Sequence, residues 1–120
     1  MGKGKILVVD DEPVSCEILA DIFTEEGYTV SRAKDGYEAI KKIEEGEHFD
    51  LFLLDIRLPG INGVEVLRAI KKINPQVKAI LMTAYSDEDL IKEGLELGAC
   101  TCIHKPFDVK EMLNLVKKII

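Results

Sequence analysis

Long apolar runs are missing from this chain of 120 residues. Its longest aliphatic stretches, such as Ile6–Val9, fall far short of a membrane span or the core of a secretion signal. A myristoylation signal is also missing, because Ile6 stands where Met1-Gly2 would need a following Ser or Thr. Positive charge is in deficit. Sixteen Lys and Arg against 22 Asp and Glu leave a net charge of −6, and such a surface repels nucleic-acid phosphates. The three cysteines cannot all pair within the chain, so without an export signal a reduced, cytoplasmic setting is expected. Neither a low-complexity segment nor a linker interrupts the sequence. What is present, 47% hydrophobic residues, suits one compact domain over 1–120 and excludes a disordered tail.

Short β-type runs alternate with amphipathic helical stretches five times. The expected strands are Lys5–Val9, Thr29–Ala33, Leu51–Asp55, Lys78–Thr83 and Cys100–Ile103. The expected helices are Pro13–Glu26, Gly36–Glu45, Gly63–Ile73, Asp87–Leu97 and Val109–Ile120. Asp35 with Glu38, Asn62 with Glu65 and Asp108 with Glu111 have the spacing of capping boxes. Pro13 suits a first helical turn, and Gly27 can end that helix in the left-handed conformation. Strict alternation implies a parallel sheet with right-handed crossovers and helices on both faces. The segments Ile6–Val9, Leu51–Leu54 and Ala79–Met82 are apolar throughout, as central strands must be, whereas the second and fifth strands are more polar. That pattern selects strand order 2-1-3-4-5, the flavodoxin-like doubly wound α/β arrangement.

In such a sheet ligands bind beyond the carboxyl ends of the strands, where the winding direction switches. Those ends carry Asp10 and Asp11, then Asp55, Thr83 and Lys105. Three carboxylates in one crevice repel one another, and oxygen-only ligands favour Mg²⁺ or Mn²⁺ over zinc. A hydroxyl and an ammonium across the crevice are suited to a phosphoryl dianion, and an aspartate can act as its acceptor. Taken singly, each residue has a plainer reading. An acid after a strand is ordinarily a helix cap, Thr83 a turn hydroxyl, Lys105 a solvated charge. Their joint occurrence at four strand ends favours a site.

The segments Ile6-Leu7-Val8-Val9-Asp10-Asp11-Glu12, Leu54-Asp55-Ile56-Arg57-Leu58-Pro59-Gly60, Met82-Thr83-Ala84 and Lys105-Pro106-Phe107 carry a resemblance over the whole chain. It resembles the receiver domains of two-component response regulators. The resemblance implies that Asp55 is the phosphoacceptor and Asp11 a direct metal ligand, with Asp10 acting through a metal-bound water. It implies that the Arg57 backbone carbonyl completes the protein's share of the Mg²⁺ shell. Thr83 would be the switch hydroxyl, Lys105 the phosphate-binding ammonium, the Lys105–Pro106 bond cis, and Ala84 the small residue leaving phosphoryl access. The implied partners are a sensor histidine kinase or histidine phosphotransfer protein and a downstream effector protein or domain. Neither nucleic acid nor membrane is implied, and a phosphorylation-linked homodimer is compatible. Cys102 departs from the pattern, because many receivers carry there an aromatic that follows the threonine. Output is therefore expected through the loop around Tyr85 and Ser86.

Cys100, Cys102 and His104 alternate along one strand, but Cys-x-Cys-x-His lacks a usual zinc spacing, and small buried edge residues are expected instead. Tyr37 is expected on a helix surface, Phe107 beneath the Lys-Pro turn, and Cys16 and His48 belong to no constellation. An aspartyl-phosphate phosphatase of the haloacid-dehalogenase type needs an acid two residues after its nucleophile, and Arg57 stands there. A flavin carrier needs a Ser/Thr/Gly-rich loop after the first strand, which is lacking.

Overall fold

The computed structural model describes residues 3–120, so Met1-Gly2, and with them the myristoylation reading, lie outside the described residues. Five strands, β1 (Lys5–Val9), β2 (Thr29–Ala33), β3 (Leu51–Asp55), β4 (Ala79–Thr83) and β5 (Thr101–His104), alternate with five helices. The helices are α1 (Pro13–Glu25), α2 (Gly36–Glu44), α3 (Gly63–Ile73), α4 (Glu88–Glu96) and α5 (Val109–Ile119). The strands form one parallel sheet in the order β2-β1-β3-β4-β5. This is the flavodoxin-like order expected from strand polarity. Among the strands, β4 starts one residue later than expected and β5 lies one residue further on, so that His104 pairs with Thr83. Among the helices, α1, α2, α4 and α5 each end one residue sooner than expected, and α4 starts one later.

Side chains alternate across the sheet with period two and build two cores. Leu7, Val9, Phe52, Leu54 and Leu81 pack with Ala39 and Ile43 of α2 and Val66, Leu67 and Ile70 of α3. Ile6, Val8, Leu53, Ile80 and Met82 pack with Leu19 and Phe23 of α1 and Met112 and Val116 of α5. Each fully buried aliphatic or aromatic side chain contributes roughly 1.5–3 kcal/mol. The three central strands are covered on both faces, and β2 and β5 form the partly exposed edges. Among the described residues, no helix is long and apolar enough to cross a membrane.

Helix starts follow the sequence with one qualification. Asn62 and Glu65 make the full reciprocal capping box, while Asp35 and Asp108 accept from the Glu38 and Glu111 N–H groups without the return bond. Pro13 opens α1, and Gly27, with φ +98°, follows its end. At α3 the chain passes so close to β3 that a Cβ on Gly63 would lie 2.4 Å from the Asp55 carbonyl oxygen. That contact fixes the path of the loop running from Asp55 to α3.

Candidate functional site

Parallel register brings the carboxyl ends of β1, β3 and β4 to one edge, and with them the residues that follow. Asp10, Asp11 and Asp55 each offer a carboxylate oxygen, and these atoms lie within 4.8 Å of one another. Asp10 and Asp55 are buried, whereas Asp11 is exposed. Lys105 reaches in from the loop after β5, its Nζ donating to Asp10 Oδ2 and Asp55 Oδ2 at 2.9 Å each. The remaining oxygens accept backbone N–H groups: Asp10 Oδ1 from Glu12 at 3.0 Å, Asp55 Oδ1 from Arg57 at 3.1 Å. Asp10 thus serves the turn and the crevice rather than capping α1, whose N-cap, Glu12, makes no side-chain cap bond. The peptide bond between Lys105 and Pro106 is cis, and exposed Ala84 lines a groove with both residues.

Burial pushes the Asp55 carboxyl above its usual range; Lys105 opposes that shift and the charge of Asp10 adds to it. Repulsion among the acids is therefore the smaller cause, because Lys105 already sits between two of them. Burial alone would lower the Lys105 ammonium, but its bonds to Asp55 and Asp10 prevail and hold it above its usual value. Oxygen-only donors this close fit a hard divalent cation such as Mg²⁺.

Thr83 is where the sequence puts it, at the end of β4 and fully buried, but its hydroxyl is engaged elsewhere. It lies 2.8 Å from Asp87 Oδ2 and 3.2 Å from the Tyr85 carbonyl, and it accepts the Tyr85 N–H at 3.0 Å. Asp87 in turn receives Arg57, with Nη2 at 2.7 Å and Nε at 3.1 Å from Oδ1. The Arg57 guanidinium also lies 4.9 Å from the centre of the Tyr85 ring. Arg57 holds the Asp87 carboxyl below the usual range, and the Thr83 bond adds to the effect.

Asp87 was not identifiable from sequence, because an acid just before a helix reads as its cap. It does stand at the N-cap of α4, yet its side chain makes no cap bond. The available signal was a pair: an arginine two residues past one strand-end acid and an acid four residues past the strand-end threonine. The Arg57 side chain, which in the sequence only excludes an acid at that place, proves to be the partner of Asp87.

The minor expectations divide. Cys102 is half-buried against the α2/α3 core, but Cys100 is exposed and precedes β5, so its expected burial is corrected. Cys16, given no constellation, is buried and donates its thiol to the Asp10 carbonyl at 3.4 Å. Tyr37 is exposed and Phe107 packs against the α1/α5 core, as expected. His48 pairs with Asp50 at 3.2 Å, at the opposite end of β3 from the site.

The sequence model for the response regulator receiver domain matches residues 6–117. The chain belongs to this family. It is 41% identical over 120 residues to sporulation initiation phosphotransferase F of Bacillus subtilis, covering all of this chain and 96% of that protein. It covers only 24% of the transcriptional regulatory protein ZraR of Klebsiella oxytoca, with 41% identity over 107 residues. Among solved structures, the response regulator TrrA of Thermotoga maritima, in complex with Mg²⁺ and BeF, superimposes with TM-score 0.87. That pair shares 41% identity, with both chains fully covered. A CheY-like receiver domain of Methanospirillum hungatei gives TM-score 0.90 at 35% identity, covering 95% of this chain and 90% of that one. This receiver thus acts in two-component signalling, and its acidic crevice is consistent with Mg²⁺ binding.

Proposed function

We propose that residues 1–120 act as one phosphoacceptor domain, in which Asp55 takes a phosphoryl group from a histidine kinase or histidine phosphotransfer protein. The observation that carries this reading is the convergence of Asp10, Asp11 and Asp55 around an ammonium that touches two of them. Asp11 and Asp55, with Asp10 through a water and the Arg57 carbonyl, would hold Mg²⁺ or Mn²⁺. When bound, the cation neutralises charge on the phosphoryl oxygens.

An Asp55 carboxylate oxygen attacks phosphorus in line; the P–O bond forms as the P–N bond of phosphohistidine breaks, and the electron pair leaves with the imidazole. Lys105 has three N–H donors and spends two on Asp10 and Asp55, so the third is free for a phosphoryl oxygen. Ala84 leaves the approach open. Thr83 donates to the phosphoryl group once in place, and only one of the two states sets both Thr83 and Lys105 against it. The switched loop then signals to a downstream effector, and slow hydrolysis of the acyl phosphate ends the signal. Arg57, tied to Asp87, occupies the position two residues past Asp55 where a phosphatase of the haloacid-dehalogenase type carries the acid that protonates its leaving alcohol, which counts against phosphatase turnover.

Intact-mass measurement with acetyl phosphate tests the reading. One phosphoryl group should appear with Mg²⁺ and none with chelator, and an aryl phosphate should not turn over. Many turnovers of the aryl phosphate would replace the switch with an enzyme.

A further inference from the structure

We propose that Asp87 and Arg57 form a latch that holds the Thr83 hydroxyl off Asp55 and thereby sets how readily the phosphorylated state forms. The latch rests on Asp55 being the phosphoacceptor.

A threonine hydroxyl has one proton to give. Here its strongest acceptor is the ionised Asp87 Oδ2 at 2.8 Å, so a bond to a phosphoryl oxygen on Asp55 requires that one to break. Asp87 is buried, with 8% of its surface exposed, and has no part in capping α4. Its side-chain bonds run to Thr83 and Arg57. Arg57 fixes both carboxylate oxygens and packs over Tyr85, the residue whose backbone brackets the same hydroxyl. The latch is also tied to the phosphoacceptor, since the Arg57 N–H donates to Asp55 Oδ1. Converting the Asp55 carboxylate to an acyl phosphate removes its charge and weakens that acceptor, so chemistry at Asp55 and release of Asp87 are linked through one residue. Asp87, at the N-cap of α4, is the ionised group that registers the departure of Thr83.

Asp87 is then a positioning residue, and its effect must depend on Thr83. The test titrates beryllofluoride with Mg²⁺ into the wild type, Asp87→Ala, Asp87→Asn, Thr83→Val and the Thr83→Val/Asp87→Ala double variant. Stoichiometric labelling at Asp55 by acetyl phosphate is measured in parallel, and circular dichroism verifies folding. Freed of the latch, Asp87→Ala should bind beryllofluoride about fivefold tighter or more, the lower end of ordinary coupling between sites. Asp87→Asn, which keeps the shape but loses the charge, should move the same way. In the Thr83→Val background the Asp87 substitution should change nothing, because no hydroxyl remains to release. If the wild type labels at Asp55 but neither Asp87 variant binds tighter, the latch is wrong and the phosphoacceptor reading stands. Equal tightening with and without Thr83 also overturns it. A wild type that never labels removes the phosphoacceptor reading and the latch with it.

Discussion

Lys105 is the residue on which the resting site depends, because two buried carboxylates share its ammonium at 2.9 Å each. Bonds of this charged kind contribute roughly 1.5–3 kcal/mol apiece, and removing the ammonium leaves buried charge without a partner. Lys105→Ala should therefore destabilise the chelated protein by about 2–4 kcal/mol in denaturant melts, with Mg²⁺ recovering part of the loss. It should also slow phosphorylation, whereas Thr83→Ala should accept phosphate at near the wild-type rate and transmit it poorly. Equal loss of labelling in both variants would contradict that division. The identity and clustering of Asp10, Asp11, Asp55 and Lys105 were legible in the sequence because each sits at a strand end. The resting bond of Thr83 was not, because which acceptor a hydroxyl chooses depends on the path of the β4–α4 loop. Asp87 and Arg57 lie thirty residues apart and meet only in the fold.

At the level of elements, the approach of α3 to β3 decides where Asp55 lies. A Cβ on Gly63 would stand 2.4 Å from the Asp55 carbonyl, a backbone atom that cannot swing away. Gly63→Ala should cost about 1–3 kcal/mol and slow phosphorylation at Asp55, measured by urea midpoint and labelling rate. An unchanged midpoint would show that α3 has room to retreat. At the opposite end of the sheet, Asp50 precedes β3 and accepts the Lys5 N–H of β1 at 2.7 Å. That bond, helped by His48 and opposed by burial, holds the Asp50 carboxyl below its usual range. A depressed carboxyl contributes stability that is full above the unfolded pKa and lost as pH falls through the folded one. Wild type should thus exceed Asp50→Asn in stability at neutral pH, and the gap should close below roughly pH 4. Melts at pH 6 and pH 3 check it, and a gap that widens in acid would contradict the sign. The helix starts at Asp35, Asn62 and Asp108 could be read from spacing, but only Asn62 completes the reciprocal box. The return bond depends on the glutamate rotamer, which spacing does not determine.

Across the whole molecule, the doubly wound sheet explains why residues so far apart in sequence share one crevice. Strand order was legible because the central strands, covered on both faces, are apolar between their ends, while β2 and β5 carry polar residues along their length. The two cores followed from the period-two alternation of β1, β3 and β4 against the helix stripes. Cys100 ran against this reading because the strand begins one residue later than its composition suggests, leaving that side chain in solvent. All of this places Asp55 at the switch point between β1 and β3, buried and sharing one ammonium with Asp10. The most direct test is to locate the phosphoryl group. After treatment with acetyl phosphate and Mg²⁺, peptide mapping should find one phosphoryl group on Asp55, and Asp55→Asn should take up none. Full labelling of Asp55→Asn, or a phosphoryl group mapped to another residue, would contradict the account.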